Sequence, residues 1–382
     1  MLRILKIWFV VHAVQRCLGG TSATTDVREQ VFYQELVEPA NIRFTDDSHL
    51  HMSVILSNIK PENDGTVPKI LKNLRLFSRS LLEHSEGTPL HIMFITDEKS
   101  KPQIQKVVHE EIGRHLSYHV INALFILTKD RKFPRSLKVE FVKLEVFSTK
   151  YKQEIEDMRT YFGITGEDYE EVYEDGSKMF FRHHTKYKQD LFYIGPMYHL
   201  EFPDEIKILM VLDVDLEFKI DLLELWNEHK NMKKGEVIGV GPELTRYYRI
   251  RTELFIQENP GTLVGQPGIW QGFNSGVALY NLENIRESQL FNQLINPEFY
   301  KMVTAKYVPG GLGDQDLFTM MGWEYPHLFY NLPCQYNYQT YRDIDSTQSS
   351  LEQDVKEDDP EYRNCKSQGK IIHLNGLIGH VD

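Results

Sequence analysis

Apolar positions along the chain change period several times, and each change marks an element. Leu50 to Ile59 is a strand-like run that ends in Ser57-Asn58. Ile70, Leu71, Leu74, Phe77, Leu81 and Leu82 then recur three and four apart, the spacing of one helical face. Pro89 to Asp97 (PLHIMFITD) is a short apolar run between polar residues, the pattern of a strand buried on both faces. Ile104, Val107, Val108 and Ile112 predict another amphipathic helix, and Val139 to Val146 a third strand. This alternation predicts an α/β domain built on a central, mostly parallel sheet.

Further along, residues 163–178 lack apolar periodicity and predict a long mobile loop, while Lys186 to Leu200 predicts a helix leading into the next strand. Residues 343–364 are polar, acidic and irregular, and no internal repeat is visible.

The N-terminus has a different character. Arg3 and Lys6 precede an apolar stretch from Ile7 to Val14, broken only by His12 and followed by Gly19-Gly20-Thr21-Ser22-Ala23. A basic start, a short apolar run and small residues match a secretory signal. The run is shorter than the ~20 residues a spanning helix needs. Residues 1–23 therefore read as a cleaved signal peptide or a short type II anchor, 24–48 as a polar stem, and 49–382 as the folded domain. Either targeting reading delivers the chain to the lumen of the endoplasmic reticulum or Golgi, with membrane contact only through an uncleaved N-terminal segment.

Of three cysteines, Cys17 lies in the targeting segment, leaving Cys334 and Cys365 as an even pair. In an oxidising lumen a disulfide between them is expected; two buried thiols are the alternative. The net charge of −12 excludes nucleic acid as a partner, since a polyanion demands a basic face.

Four short stretches carry candidate chemistry. In Ile206 to Phe218 (IKILMVLDVDLEF) an apolar strand runs into Asp213-Val214-Asp215. Residues i and i+2 of a strand face one side, so both acids can converge on one cation at the carboxyl end of a parallel strand. Hard oxygen ligands suit Mn²⁺ or Mg²⁺. An aspartyl phosphatase also ends a strand with Asp-x-Asp, but normally on its first strand, whereas this motif lies past mid-chain. Gln271 to Asn281 places Asn274, Ser275 and Gly276 where amide and hydroxyl groups can meet sugar hydroxyls, although taken alone the segment reads first as a tight turn before a strand. In Gly311 to Phe318, Asp314 or a neighbour is expected to cap a helix, and Gln315 offers a neutral amide. His373 closes an apolar strand in Lys370 to Gly376, where it is either a satisfied core histidine or a third ligand for the same cation.

In this order, from about Leu50 to the C-terminus, the four pieces resemble the retaining glycosyltransferase family 8. The resemblance implies a GT-A type nucleotide-diphosphosugar transferase fold, with Mn²⁺ held by Asp213, Asp215 and His373. Gln315 and Asp314 are then the expected catalytic-site residues. Ser57, Asn58, Asp213, Val214, Asn274, Ser275, Gly276 and Asn375 are expected to line the UDP-sugar. The finer pattern in Leu212 to Leu216, Gln257 to Pro260, Gly272 to Val277 and Gly313 to Met320 most resembles the family's xylosyltransferases that extend O-glucose glycans on EGF-like repeats of Notch-type proteins. That implies UDP-xylose as donor and the 3-hydroxyl of a terminal xylose as acceptor, attacked on the front face. Glucoside xylosyltransferase and other hexosyltransferases of the family stay open, as does a non-catalytic lumenal lectin. Against relatives, Leu374 stands where glycine is usual and Tyr336 where tryptophan is frequent.

Overall fold

Alternate residues of the central strands feed opposite cores. Leu209 packs into one cluster with Ala278 and Tyr280, while Met210 and Leu212 pack into another with Val277 and Leu279. A sheet buried on both faces explains why its strands read as continuous apolar runs rather than alternating ones. The computed structural model describes residues 33–36, 49–60, 67–85, 88–125, 137–163, 169–172, 178–181, 185–244, 248, 252–264, 272–340, 365 and 368–374. The targeting segment, most of the stem and residues 343–364 lie outside them.

Eight strands form the main sheet. Their spatial order is β1 (Tyr33–Leu36), β4 (Leu137–Lys143), β3 (Leu90–Thr96), β2 (Leu50–Ile55), β7 (Ile208–Leu212), β10 (Phe273–Asn281), β9 (Ile238–Pro242) and β11 (Phe329–Asn331). From β1 to β7 every neighbour is parallel. Only β10 runs against its neighbours, β7 and β9, and β11 is again parallel to β9. The predicted mostly parallel sheet is therefore present, and its direction reverses beside the strand that ends in Asp213. β1 lies within the span read as a stem and there joins the sheet edge.

Among the described residues, the helices of ten or more residues are α1 (Lys69–His84), α2 (Lys101–Phe125), α3 (Lys152–Phe162), α4 (Pro297–Lys306) and α5 (Asp314–Glu324). In α1, Leu71, Leu74, Phe77, Leu81 and Leu82 are buried, the face that the spacing predicts. None of the described helices is long and apolar enough to cross a membrane.

A second, three-stranded sheet in the order β12 (Tyr338–Gln339), β13 (Ile371–His373), β8 (Leu216–Phe218) closes over the end of β7. Helix α1 supports it: Phe77 and Phe218 meet edge to face at 5.0 Å, and the Phe218 N–H donates to Ser80 Oγ at 3.0 Å. Cys334 and Cys365 form the expected disulfide, with 5.7 Å between their Cα atoms.

Three local expectations are corrected. The strand predicted to reach Val146 stops at Lys143, and Leu144–Lys150 is a helix; Leu144 and Phe147, three apart, are its buried residues. Inside the predicted loop 163–178 the chain forms β5 (Tyr169–Val172), paired antiparallel with β6 (Lys178–Phe181). Pairing of a two-stranded ribbon is backbone to backbone and leaves no apolar period to read. Residues 186–200 form three 3₁₀ turns and the start of a short helix, Tyr198–Glu201, rather than one helix. Pro196 interrupts the run, since it has no N–H to donate.

Candidate functional site

β7 delivers Asp213 and Asp215 at the carboxyl end of the sheet, next to the reversal at β10, where α/β sheets open their ligand crevices. Asp213 is held by its backbone N–H, which donates to the Gly276 carbonyl at 2.8 Å. Its side chain is 58% exposed, whereas that of Asp215 is 12% exposed. One acid thus faces solvent and the other faces the protein.

The small sheet brings in the third group. His373 pairs opposite Leu216, and the Leu374 N–H donates to the Asp215 carbonyl at 2.9 Å. His373 Nε2 lies 3.4 Å from Asp215 Oδ1 and 3.6 Å from Asp213 Oδ2. One ligand atom from each of the three residues falls within 4.8 Å of the others. The imidazole is buried against Gly276, where an added Cβ would sit 2.2 Å from Cε1. Burial alone would lower the His373 pKa, but the charges of Asp215 and then Asp213 raise it on balance. Two carboxylates and one imidazole nitrogen in this space are the donor set of a divalent cation, and the residues fit one.

Gln315 and Asp314 reach the same end of the sheet from the start of α5. The helix begins at Gly313, whose φ of 71° suits glycine and whose Cα faces the Phe192 carbonyl too closely to carry a side chain. Gln315 Oε1 accepts from the Ser275 N–H at 3.0 Å and the Ser275 hydroxyl at 3.1 Å, coupling α5 to β10. Asp314 does not supply the expected side-chain cap. Its Oδ2 accepts from the Gly195 N–H at 3.1 Å, and desolvation followed by the Asp213 charge pushes its pKa up to about 8. Asp316 turns back instead and accepts from the Leu312 N–H at 2.9 Å and the Tyr248 hydroxyl at 2.7 Å.

Ser57 and Asn58 follow β2 at the same end of the sheet, beyond Val54, which pairs with Leu212. Asn58 adopts φ 59°, a left-handed conformation that asparagine tolerates, and its N–H donates to Asp97 Oδ2 at 2.7 Å. Val214 is half-buried between the two acids, and Asn375 lies outside the described residues.

Sequence reasoning did not single out Glu243 or Asn337. Both are buried and both connect to Asn274. An amide or acid on a short irregular segment carries no periodic signal, and only the fold places these residues beside the imidazole.

Comparisons with known proteins identify the family. The family model described as Glycosyl transferase family 8 matches residues 79–378. Xyloside xylosyltransferase 1 of Mus musculus is 39% identical over 198 residues, covering 50% of this chain and 48% of its own. The Homo sapiens protein of that name has the same identity and coverage. The chain is thus matched over about half the length of these curated relatives. The apo crystal structure of mouse Xyloside xylosyltransferase 1 superposes with a TM-score of 0.66 at 28% identity, covering 87% of this chain and 100% of that one.

Proposed function

The chain belongs to glycosyl transferase family 8 and has the GT-A fold, and from that premise we propose a retaining, divalent-metal-dependent glycosyltransferase of the secretory pathway. The substrates proposed are UDP-xylose as donor and the 3-hydroxyl of a terminal xylose, on O-glucose glycans of EGF-like repeats, as acceptor. The observation that carries the reading is the convergence of Asp213, Asp215 and His373, far apart in sequence, at the open end of the sheet. Similarity to the two xyloside xylosyltransferases supports the choice of xylose. The Cys334–Cys365 disulfide agrees with an oxidising lumen such as that of the endoplasmic reticulum.

Asp213, Asp215 and His373 would hold Mn²⁺ or Mg²⁺, which when bound supplies charge neutralisation at the donor pyrophosphate. Ser57 and Asn58, at the end of the neighbouring strand, would receive the uridine. Gln315, its oxygen engaged by Ser275 and its nitrogen donating to the Tyr248 hydroxyl at 3.4 Å, would offer a neutral, fixed dipole to the anomeric region.

Asp314, pushed up to about 8 chiefly by desolvation and engaged by the Gly195 N–H, is assigned to hold a sugar hydroxyl rather than to act as a nucleophile. Asp316 is fully buried, with its carboxylate taken by the Tyr248 hydroxyl and the Leu312 N–H. These placements favour front-face substitution over double displacement. In that route the acceptor oxygen bonds to the anomeric carbon as the bond to UDP breaks on the same side. The acceptor proton passes to the departing β-phosphate oxygen.

The deciding experiment incubates purified protein with Mn²⁺, either a xylosyl-glucose or a bare glucoside acceptor, and UDP-xylose, UDP-glucose or UDP-galactose in separate reactions. Transfer from UDP-xylose with retention is expected. Transfer only to a bare glucoside would reassign the acceptor, and sugar binding with no turnover of any donor would leave a lectin.

A further inference from the structure

Asn337 is fully buried between the imidazole of His373 and the strand that carries Asn274. Its amide has one orientation that satisfies its neighbours. The Asn337 nitrogen lies 3.0 Å from the Asn274 carbonyl oxygen and 2.9 Å from Asn274 Oδ1. Both are acceptors. Asn274 Oδ1 also receives the Gly276 N–H at 3.1 Å, and Asn274 Nδ2 donates to Glu243 Oε2 at 3.0 Å. The carboxylate of Glu243 accepts only, so it sets the direction of every amide that follows. With its nitrogen spent on Asn274, Asn337 turns its oxygen to His373 Nδ1, 3.0 Å away. That oxygen can only accept, so Nδ1 must carry the proton.

The geometry points to Asn337 as a positioning residue that holds His373 in its Nδ1–H tautomer, through the chain Glu243, Asn274, Asn337. The lone pair of Nε2 then faces Asp215 and Asp213. This assignment rests on the reading of those three residues as a cation site. It also gives Asn274 a different task from the sugar contact expected of it: its oxygen already serves two donors and its nitrogen serves Glu243. A partner on the far nitrogen of a ligating imidazole fixes both ring orientation and tautomer, and losing such a partner typically weakens metal binding ~10–100-fold.

The test reads the ring directly. In ¹⁵N-histidine-labelled protein, long-range ¹H–¹⁵N spectra locate the His373 ring proton. One spectrum uses metal-free protein at a pH that keeps the ring neutral, and a second uses protein loaded with diamagnetic Zn²⁺. The proton is expected on Nδ1 in both, with zinc on Nε2. A proton on Nε2, or zinc on Nδ1, overturns the assignment without any variant. Titration of folded Asn337→Leu with Mn²⁺ should show affinity lower by ~10–100-fold; unchanged affinity also overturns it. A wild-type protein that shows the Nδ1 proton yet binds no divalent cation would uphold the tautomer and remove the cation site, so the two readings fail separately.

Discussion

Gly276 and His373 meet face to face: a Cβ at position 276 would fall 2.2 Å from Cε1 and 2.6 Å from Nδ1 of the imidazole. A displaced ring would also give up its contact with Asn337 Oδ1, 3.0 Å from Nδ1. Gly276→Ala should therefore push His373 off its carboxylate partners and weaken Mn²⁺ binding by roughly 10-fold or more. Overpacking of this kind costs about 1–3 kcal/mol. Isothermal titration and a melting curve separate the two effects; wild-type affinity in the alanine variant would show that the ring does not need this space.

Asp215 is the more buried acid of the pair and faces Nε2 at 3.4 Å. Asp215→Asn keeps the shape and removes the charge. Divalent-cation affinity should fall by at least the ~10–100-fold seen for lost supporting groups, and glycosyl transfer should disappear. Transfer that persists when Mn²⁺ is raised to excess would sink the cation site.

Asp314 makes a pH-dependent contribution whose sign follows from its raised pKa. Between its ordinary value of 3.8 and about 8, the folded protein keeps a proton that the unfolded chain has lost. Its contribution to stability thus declines as pH rises through that window. In EDTA, where no cation offsets the Asp213 charge, Asp314→Asn should match wild type near pH 4 and exceed it near pH 8, by a few degrees in Tm. A gap that does not grow with pH would refute this.

His51 acts in the opposite sense. Its ring stands in the sheet with Nδ1 2.9 Å from His91 Nδ1, and His91 Nε2 lies 3.1 Å from Glu140. Burial first, then the charges of His91, His49 and Lys138, lower its pKa to about 3. The unfolded chain therefore binds the extra proton between about 3 and 6.5, and stability is lost as pH falls through that range. Urea denaturation of His51→Asn should show a shallower loss of stability from pH 6.5 to 4 than wild type; equal slopes would count against it.

The Cys334–Cys365 disulfide spans 31 residues in sequence and opens the turn Cys334–Asn337, which ends on the residue that holds His373. Loop-closure entropy for that length is worth about 3–4 kcal/mol. Reduction, or the double serine variant, should lower Tm and weaken Mn²⁺ binding together. A melting curve indifferent to reductant would contradict the role of this bridge.

Strands β2, β3 and β7 and helix α1 were legible because each is written in apolar positions only a few residues apart. The buried face of α1 coincides with the residues that recur at helical spacing, and Asp213 and Asp215 could be placed at a strand end from the run preceding them. Elements that hold together by other means were not legible. The ribbon β5–β6 is paired through backbone groups, and residues 186–200 turn at Gly195-Pro196 although their composition suits a helix.

What periodicity encodes is whether a segment is strand or helix and which side it buries, since that depends on neighbours within one or two turns. Register, partner and side-chain direction depend on groups far apart along the chain. Antiparallel β10 beside β7, the Asp314 carboxylate reached by the Gly195 N–H, and Asn337 seated against His373 were all decided there. Packing leaves one arrangement that satisfies these buried polar groups, and a linear pattern carries no record of it.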